Sequence, residues 1–150
     1  MNWTNNKSLT LSRVFVAVFA VLLFALDIGC YWLARWFFVG IRGTSLLHAA
    51  LLMVSVYCGS VFAWICLRQL WRLLGNIRGG AIFTKENVGC MRTISWCCVW
   101  AAAVCLVSTA YYLPFIFVAI AAGFMALIVR IVKNAFQQAI VMKDELDLTI

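Results

Sequence analysis

The 150-residue sequence predicts an all-α, polytopic integral membrane protein with four transmembrane helices in an antiparallel bundle. Three observations carry this. Hydrophobic residues make up 66% of the chain and charged residues only 11%, where a soluble domain carries about a quarter charged. The apolar residues gather into four runs, each reaching the ~20 residues that a helix needs to cross ~30 Å of hydrocarbon. The 12 lysines and arginines are also one-sided. With alternating spans, only Arg35 and Arg42 fall opposite the rest. The positive-inside rule then places both termini and the middle connection in the cytoplasm, with the protein in a bacterial cytoplasmic membrane.

The first helix is expected over about residues 14–39. Its run is too long for the apolar core of a signal peptide, and no small-residue cleavage site precedes a soluble domain, so it reads as a retained span. Trp32, Trp36, Phe37 and Phe38 cluster at its end, where amphipathic rings sit at headgroup level. The second, about 46–77, leaves the membrane as "CLRQLWRLLGNI". There Leu67, Leu70, Trp71, Leu74 and Ile77 recur at helical spacing, opposite Arg68, Gln69, Arg72 and Asn76. Gly79 and Gly80 stop it.

The third helix is expected over about 85–113, with Thr84 as N-cap, Glu86 at the positive end of the dipole and Phe83 as the apolar residue before the cap. Tyr111 and Tyr112 mark its far interface. Pro114 opens the fourth, about 115–146, because proline lacks the N–H that a first turn leaves unused. Ile131, Ala135, Phe136, Ala139, Ile140 and Met142 keep one face apolar until Asp144, Glu145 and Asp147. Helices two, three and four are thus expected to extend into the cytoplasm. The connections at 40–45 and 113–114 are short enough to force antiparallel neighbours within one domain, residues 1–150. Small-xxx-small spacing at Ala119/Gly123 and Ala122/Ala126 predicts a close contact within the bundle or between copies in a homo-oligomer.

Most chemistries find no foothold. The net charge of +7 is spread along helix ends rather than gathered on a soluble face, which argues against direct nucleic-acid binding. The seven cysteines contain no C-x-x-C, and His48 is the lone histidine. Cys90 stacks under Cys97, and Cys98 under Cys105, as small packing residues. No phosphate loop, hydrolytic triad or zinc-binding helix is present, so neither enzyme activity nor a cofactor or metal is expected. Arg130 and Lys133 lie where long cationic stems snorkel to headgroups.

Asp27 is the one intramembrane acid. A carboxylate there costs roughly 2.5–3.5 kcal/mol on insertion scales and calls for a partner or a function. Ser55, Ser108 and Tyr31 are its expected neighbours, with Arg35 two turns outward. A hydrogen-bonded structural acid is favoured over a transport residue.

Two motifs carry a family resemblance. "GGAIFTKENVGCMRTISW" and the ending "AIVMKDELDLTI" resemble the domain-of-unknown-function 2975 family of small bacterial four-helix membrane proteins, over nearly the whole chain. Met91 stands where that family favours leucine, and Leu146 where asparagine is common. The resemblance implies no activity. It does imply a partner, because genes of the family lie beside one for a small Cro/CI-type helix-turn-helix regulator. The expected function is a binding module whose cytoplasmic hairpin and acidic tail engage such a soluble regulator. Its candidate contact residues are Phe83, Thr84, Glu86, Asn87, Arg92, Asp144, Glu145 and Asp147. The alternatives are a small transporter or channel subunit using Asp27, and immunity to a membrane-active peptide.

Overall fold

The computed structural model describes residues 3–41, 46–80 and 82–148. It contains α1 (Trp3–Arg35), which widens into a π-helical segment over Trp36–Ile41, then α2 (Leu46–Arg78), α3 (Lys85–Ser108) and α4 (Phe115–Leu148). All four helices are long and apolar enough to cross a membrane. Much of their apolar surface faces outward: Trp32 and Val107 are each 77% exposed and Phe117 74%. A soluble monomer does not present apolar patches on that scale to water.

Two boundaries differ from expectation. The start of α1 moves from about residue 14 to Trp3. Residues 3–13 hold neither glycine nor proline, and extending a formed helix is far cheaper than nucleating one. So α1, and not only the later helices, overruns its apolar stretch. α3 stops at Ser108 rather than 113. Pro114 disfavours helical geometry in the residue before it, and the chain crosses residues 109–114 in hydrogen-bonded turns. In them Tyr112 N–H donates to the Ser108 carbonyl at 3.1 Å, and Phe115 N–H to that of Tyr112 at 3.1 Å.

Close backbone approaches follow chain order: α1 against α2, α2 against α3, α3 against α4. Among the described residues α1 comes near neither α3 nor α4. The packed core lies toward the two ends. At one end, Ala34 and Ala49 are buried with Phe37 and Tyr112 packed edge to face, their centroids 5.9 Å apart. At the other, Leu73, Cys90 and Met91 are buried under Leu70, Ile77, Val129 and Phe136. Between them the seams are polar or small. Ser108 Oγ donates to Ser55 Oγ at 2.7 Å across α2 and α3. Ser95 Oγ donates to the Ala126 carbonyl at 3.1 Å across α3 and α4, where Ala119 and Ala126 are buried. Those two alanines each come from one of the expected small-residue pairs, and close backbone approach is what such spacing permits.

The helices outrun a bilayer. At 1.5 Å per residue α2 is about 50 Å long and α4 about 51 Å, against ~30 Å of hydrocarbon. The polar stretches of α1, α2 and α4 lie toward the end that carries Trp3, Leu148 and the α2–α3 turn, here the termini end.

Candidate functional site

The α2–α3 turn is built from backbone outward. Gly79 N–H donates to the Gly75 carbonyl and Gly80 N–H to that of Ile77, both at 3.1 Å. Gly80 then takes φ +82°, the left-handed conformation that ends helices and that side chains resist. Thr84 is extended (φ −125°, ψ 148°) and caps α3, its Oγ1 accepting from Asn87 N–H at 3.4 Å. One of the orphan donors of the first turn is thereby satisfied.

Asn87 is fully buried. Its Nδ2 donates to the Ile82 carbonyl at 2.8 Å, and its Oδ1 accepts from Asn76 Nδ2 at 2.8 Å. One side chain thus fastens the turn beneath it and the end of α2 beside it. Arg72 and Glu86 form a second, exposed tie between α2 and α3. Phe83 stacks obliquely on Phe136 of α4, with ring centroids 5.5 Å apart. On the α1 side, the Arg13 guanidinium lies 5.2 Å from the centre of the Trp71 ring, a cation–π geometry. A Cβ on Gly75 would come within 3.3 Å of that guanidinium. All four helices are therefore clamped together at the termini end.

A groove of about 320 Å³ opens beside this clamp, between the first turns of α3 and the extension of α4. Lys85, Arg92 and Gln137 supply its polar rim, and Val88, Ile140 and Val141 its apolar lining. A second cavity, of about 200 Å³, continues down the same seam between Arg92, Ser95, Trp96, Val99, Arg130 and Lys133. Arg92 borders both.

The candidate contact residues divide accordingly. Phe83, Thr84, Glu86, Asn87 and Arg92 come together at the turn and the start of α3, but Asn87 is inside the clamp and Glu86 is paired. Asp144 and Glu145 are exposed on α4, about two turns beyond Phe136. The side chain of Asp147 lies outside the described residues. Asn76, Arg72 and Phe136, which hold the turn, were read from sequence only as helix-face residues, and Gln137, which lines the groove, was not named at all. An asparagine at one helix end facing another just past the turn was the available signal.

Asp27 has different neighbours from those expected. Its Oδ2 accepts from Trp64 Nε1 at 3.0 Å, and its backbone carbonyl accepts from Tyr57 Oη at 3.1 Å. Its Oδ1 is shielded and has no partner among the described residues. Ser55 and Ser108 bond to each other and Tyr111 Oη donates to Ser55 Oγ at 2.6 Å, while Tyr31 Oη accepts from Arg35 at 3.1 Å. The reason is packing order. α1 sees only α2, so Ser108 on α3 lies beyond Asp27's reach, whereas Tyr57 and Trp64, seven residues apart on α2, share the face that α1 covers. Among the described residues no three His, Cys, Asp or Glu side chains converge as a metal site would require.

The sequence family described as "Protein of unknown function (DUF2975)" matches residues 4–150. No match emerges among curated proteins or among solved structures.

Proposed function

The chain belongs to the DUF2975 family, and from that membership and the geometry of the termini end we propose that it is a membrane-embedded binding module. Its clamped end, with both termini cytoplasmic, presents the α3–α4 groove to a soluble partner. The role is one of binding rather than catalysis. A single observation carries the reading: the groove lies where α3 and α4 leave the apolar span, and it joins a cationic rim to an apolar lining. Concave apolar surface with a few placed polar groups is what recognition of an amphipathic segment uses. Lys85 and Arg92 favour a segment carrying carboxylates, and such complementarity governs partner choice and encounter rate more than affinity. A small helix-turn-helix regulator is the partner class that the family resemblance suggests.

The test is recovery of soluble partners on the full-length protein and on Lys85→Glu, with Glu86→Ala and truncation after Lys143 in parallel. Charge reversal at Lys85 should remove a specific partner while insertion stays normal. Unchanged recovery by all three variants would end the proposal. A second reading, proton-coupled transport through Asp27, is favoured by the shielded Oδ1 without a partner. It ranks below because Trp64 and Tyr57 give Asp27 a structural task between α1 and α2.

A further inference from the structure

The deeper cavity of the α3–α4 seam is a different kind of place. Arg92 from α3 and Arg130 and Lys133 from α4 converge on it, and among the described residues no acidic one lines it. None of the three cations has an ion pair among the described residues, since the one bridge involves Arg72 and Glu86. Ser95 lines it too, but its hydroxyl proton is committed to the Ala126 carbonyl. Trp96, 59% exposed, adds an indole N–H, which can only donate. Apart from the Ser95 oxygen, whose remaining lone pairs can only accept, the polar side chains lining the cavity therefore present positive charge or a donor.

Depth narrows the ligand. Counting helical rise, Arg92 lies about 24 Å from Ser108 and Arg130 about 22 Å from Phe115, so both approach the boundary of the ~30 Å hydrocarbon layer from within. Three unpaired cations sharing one cavity at that level repel one another and lack the full solvation of water. An anion relieves both problems. Two arginine forks suit phosphate oxygens, which they grip in pairs, and lysine adds a point charge. The cavity of about 200 Å³ has the room of about six waters at ~30 Å³ each, enough for a phosphate group. Below it, Val99 continues the wall in apolar form, and a Trp at this height is the usual interfacial residue.

We propose that Arg92, Arg130, Lys133 and Trp96 form a binding site for the headgroup phosphate of an anionic glycerophospholipid, in the leaflet at the termini end. The inference rests on the membrane-spanning reading of the helices and is independent of any soluble partner. Sequence alone favours plain snorkelling of Arg130 and Lys133. The third cation is contributed by another helix, and only the register of α3 against α4 brings it alongside.

The experiment is native mass spectrometry of the full chain in detergent, titrated with phosphatidylglycerol or phosphatidylcholine of identical acyl chains, and separately with inorganic phosphate. Phosphatidylglycerol should bind in preference to phosphatidylcholine. Arg130→Gln combined with Lys133→Gln should weaken it by about thirtyfold, as two interfacial cations are removed. Arg130→Lys should keep most of the preference, and Arg78→Gln, a cation at the same end outside the cavity, should keep all of it. Equal binding of the two lipids, or an undiminished preference in the double variant, would overturn the proposal. Inorganic phosphate binding as tightly as the lipid would overturn the lipid assignment. Arg130 and Lys133 do not line the partner groove, so a lost partner with intact lipid preference, or the reverse, identifies which of the two proposals has failed.

Discussion

Replacing Asn87 by alanine is the sharpest probe of the clamp. The side chain is fully buried and makes two hydrogen bonds of 2.8 Å, to the Ile82 carbonyl and from Asn76. Each such bond contributes about 1 kcal/mol net, and a partner left without water costs more. Asn76 is only half-buried and Ile82 is 40% exposed, so water reaches both in part and the extra penalty is moderate. The expected loss is about 2–3 kcal/mol of local stability, which is roughly a 30- to 150-fold drop in the protection of the first α3 amides against hydrogen exchange. The bilayer-reconstituted protein is the sample, and the amides of residues 87–92 are the readout. Glu86→Ala is the control. It breaks a bridge whose side chains are 61% and 52% exposed, and exposed pairs are worth less than about 1 kcal/mol after solvent screening. Unchanged protection in Asn87→Ala, or a greater loss in Glu86→Ala, would refute the assignment of the clamp to Asn87.

Further outcomes follow from the same geometry. A reporter fused after Ile150 should be active only as a cytoplasmic fusion, and one placed within residues 40–45 should behave oppositely; matching behaviour at both sites would overturn the four-span topology. Asp27→Asn keeps an acceptor for Trp64 and leaves the Tyr57 bond to the backbone carbonyl. It should therefore lower the melting temperature modestly and leave partner recovery intact, and proton-driven efflux abolished by this change would establish the transport reading instead. Thr84→Ala removes a long cap contact of 3.4 Å and should cost toward the low end of about 0.5–2 kcal/mol, measured as hydrogen exchange at the same amides.

Much of the fold was legible because it depends on local chemistry. Paired glycines, a threonine cap and a proline set the α2–α3 turn and the start of α4, and those residues act within a few positions of themselves. The start of α1 was misplaced because hydropathy marks the apolar span, whereas helix propagation continues through polar residues until something stops it. The neighbours of Asp27 were misassigned for a different reason. Depth along each helix follows from counting, but which helices touch does not, and chain-order packing leaves Ser108 one helix away. The candidate site divides the same way. Thr84 was visible as the cap, whereas Phe83, expected to pin the entry of its own helix, stacks on Phe136 of α4. The Asn76–Asn87 bond, the Phe83–Phe136 stack and the meeting of Arg92 with Arg130 all need the register between two helices, which turn length and side-chain packing set together.

The central claim is that the α3–α4 groove is a docking surface for a soluble cytoplasmic protein. The most direct measurement is photocrosslinking in living cells from a photoreactive residue at Gln137, which faces the groove, compared with one at Leu146, exposed further along α4. The account predicts one discrete protein adduct from position 137, weak or absent from 146, and abolished when Lys85→Glu is added. An adduct that persists with Lys85→Glu, or position 137 yielding only lipid adducts while the protein is correctly inserted, would contradict it.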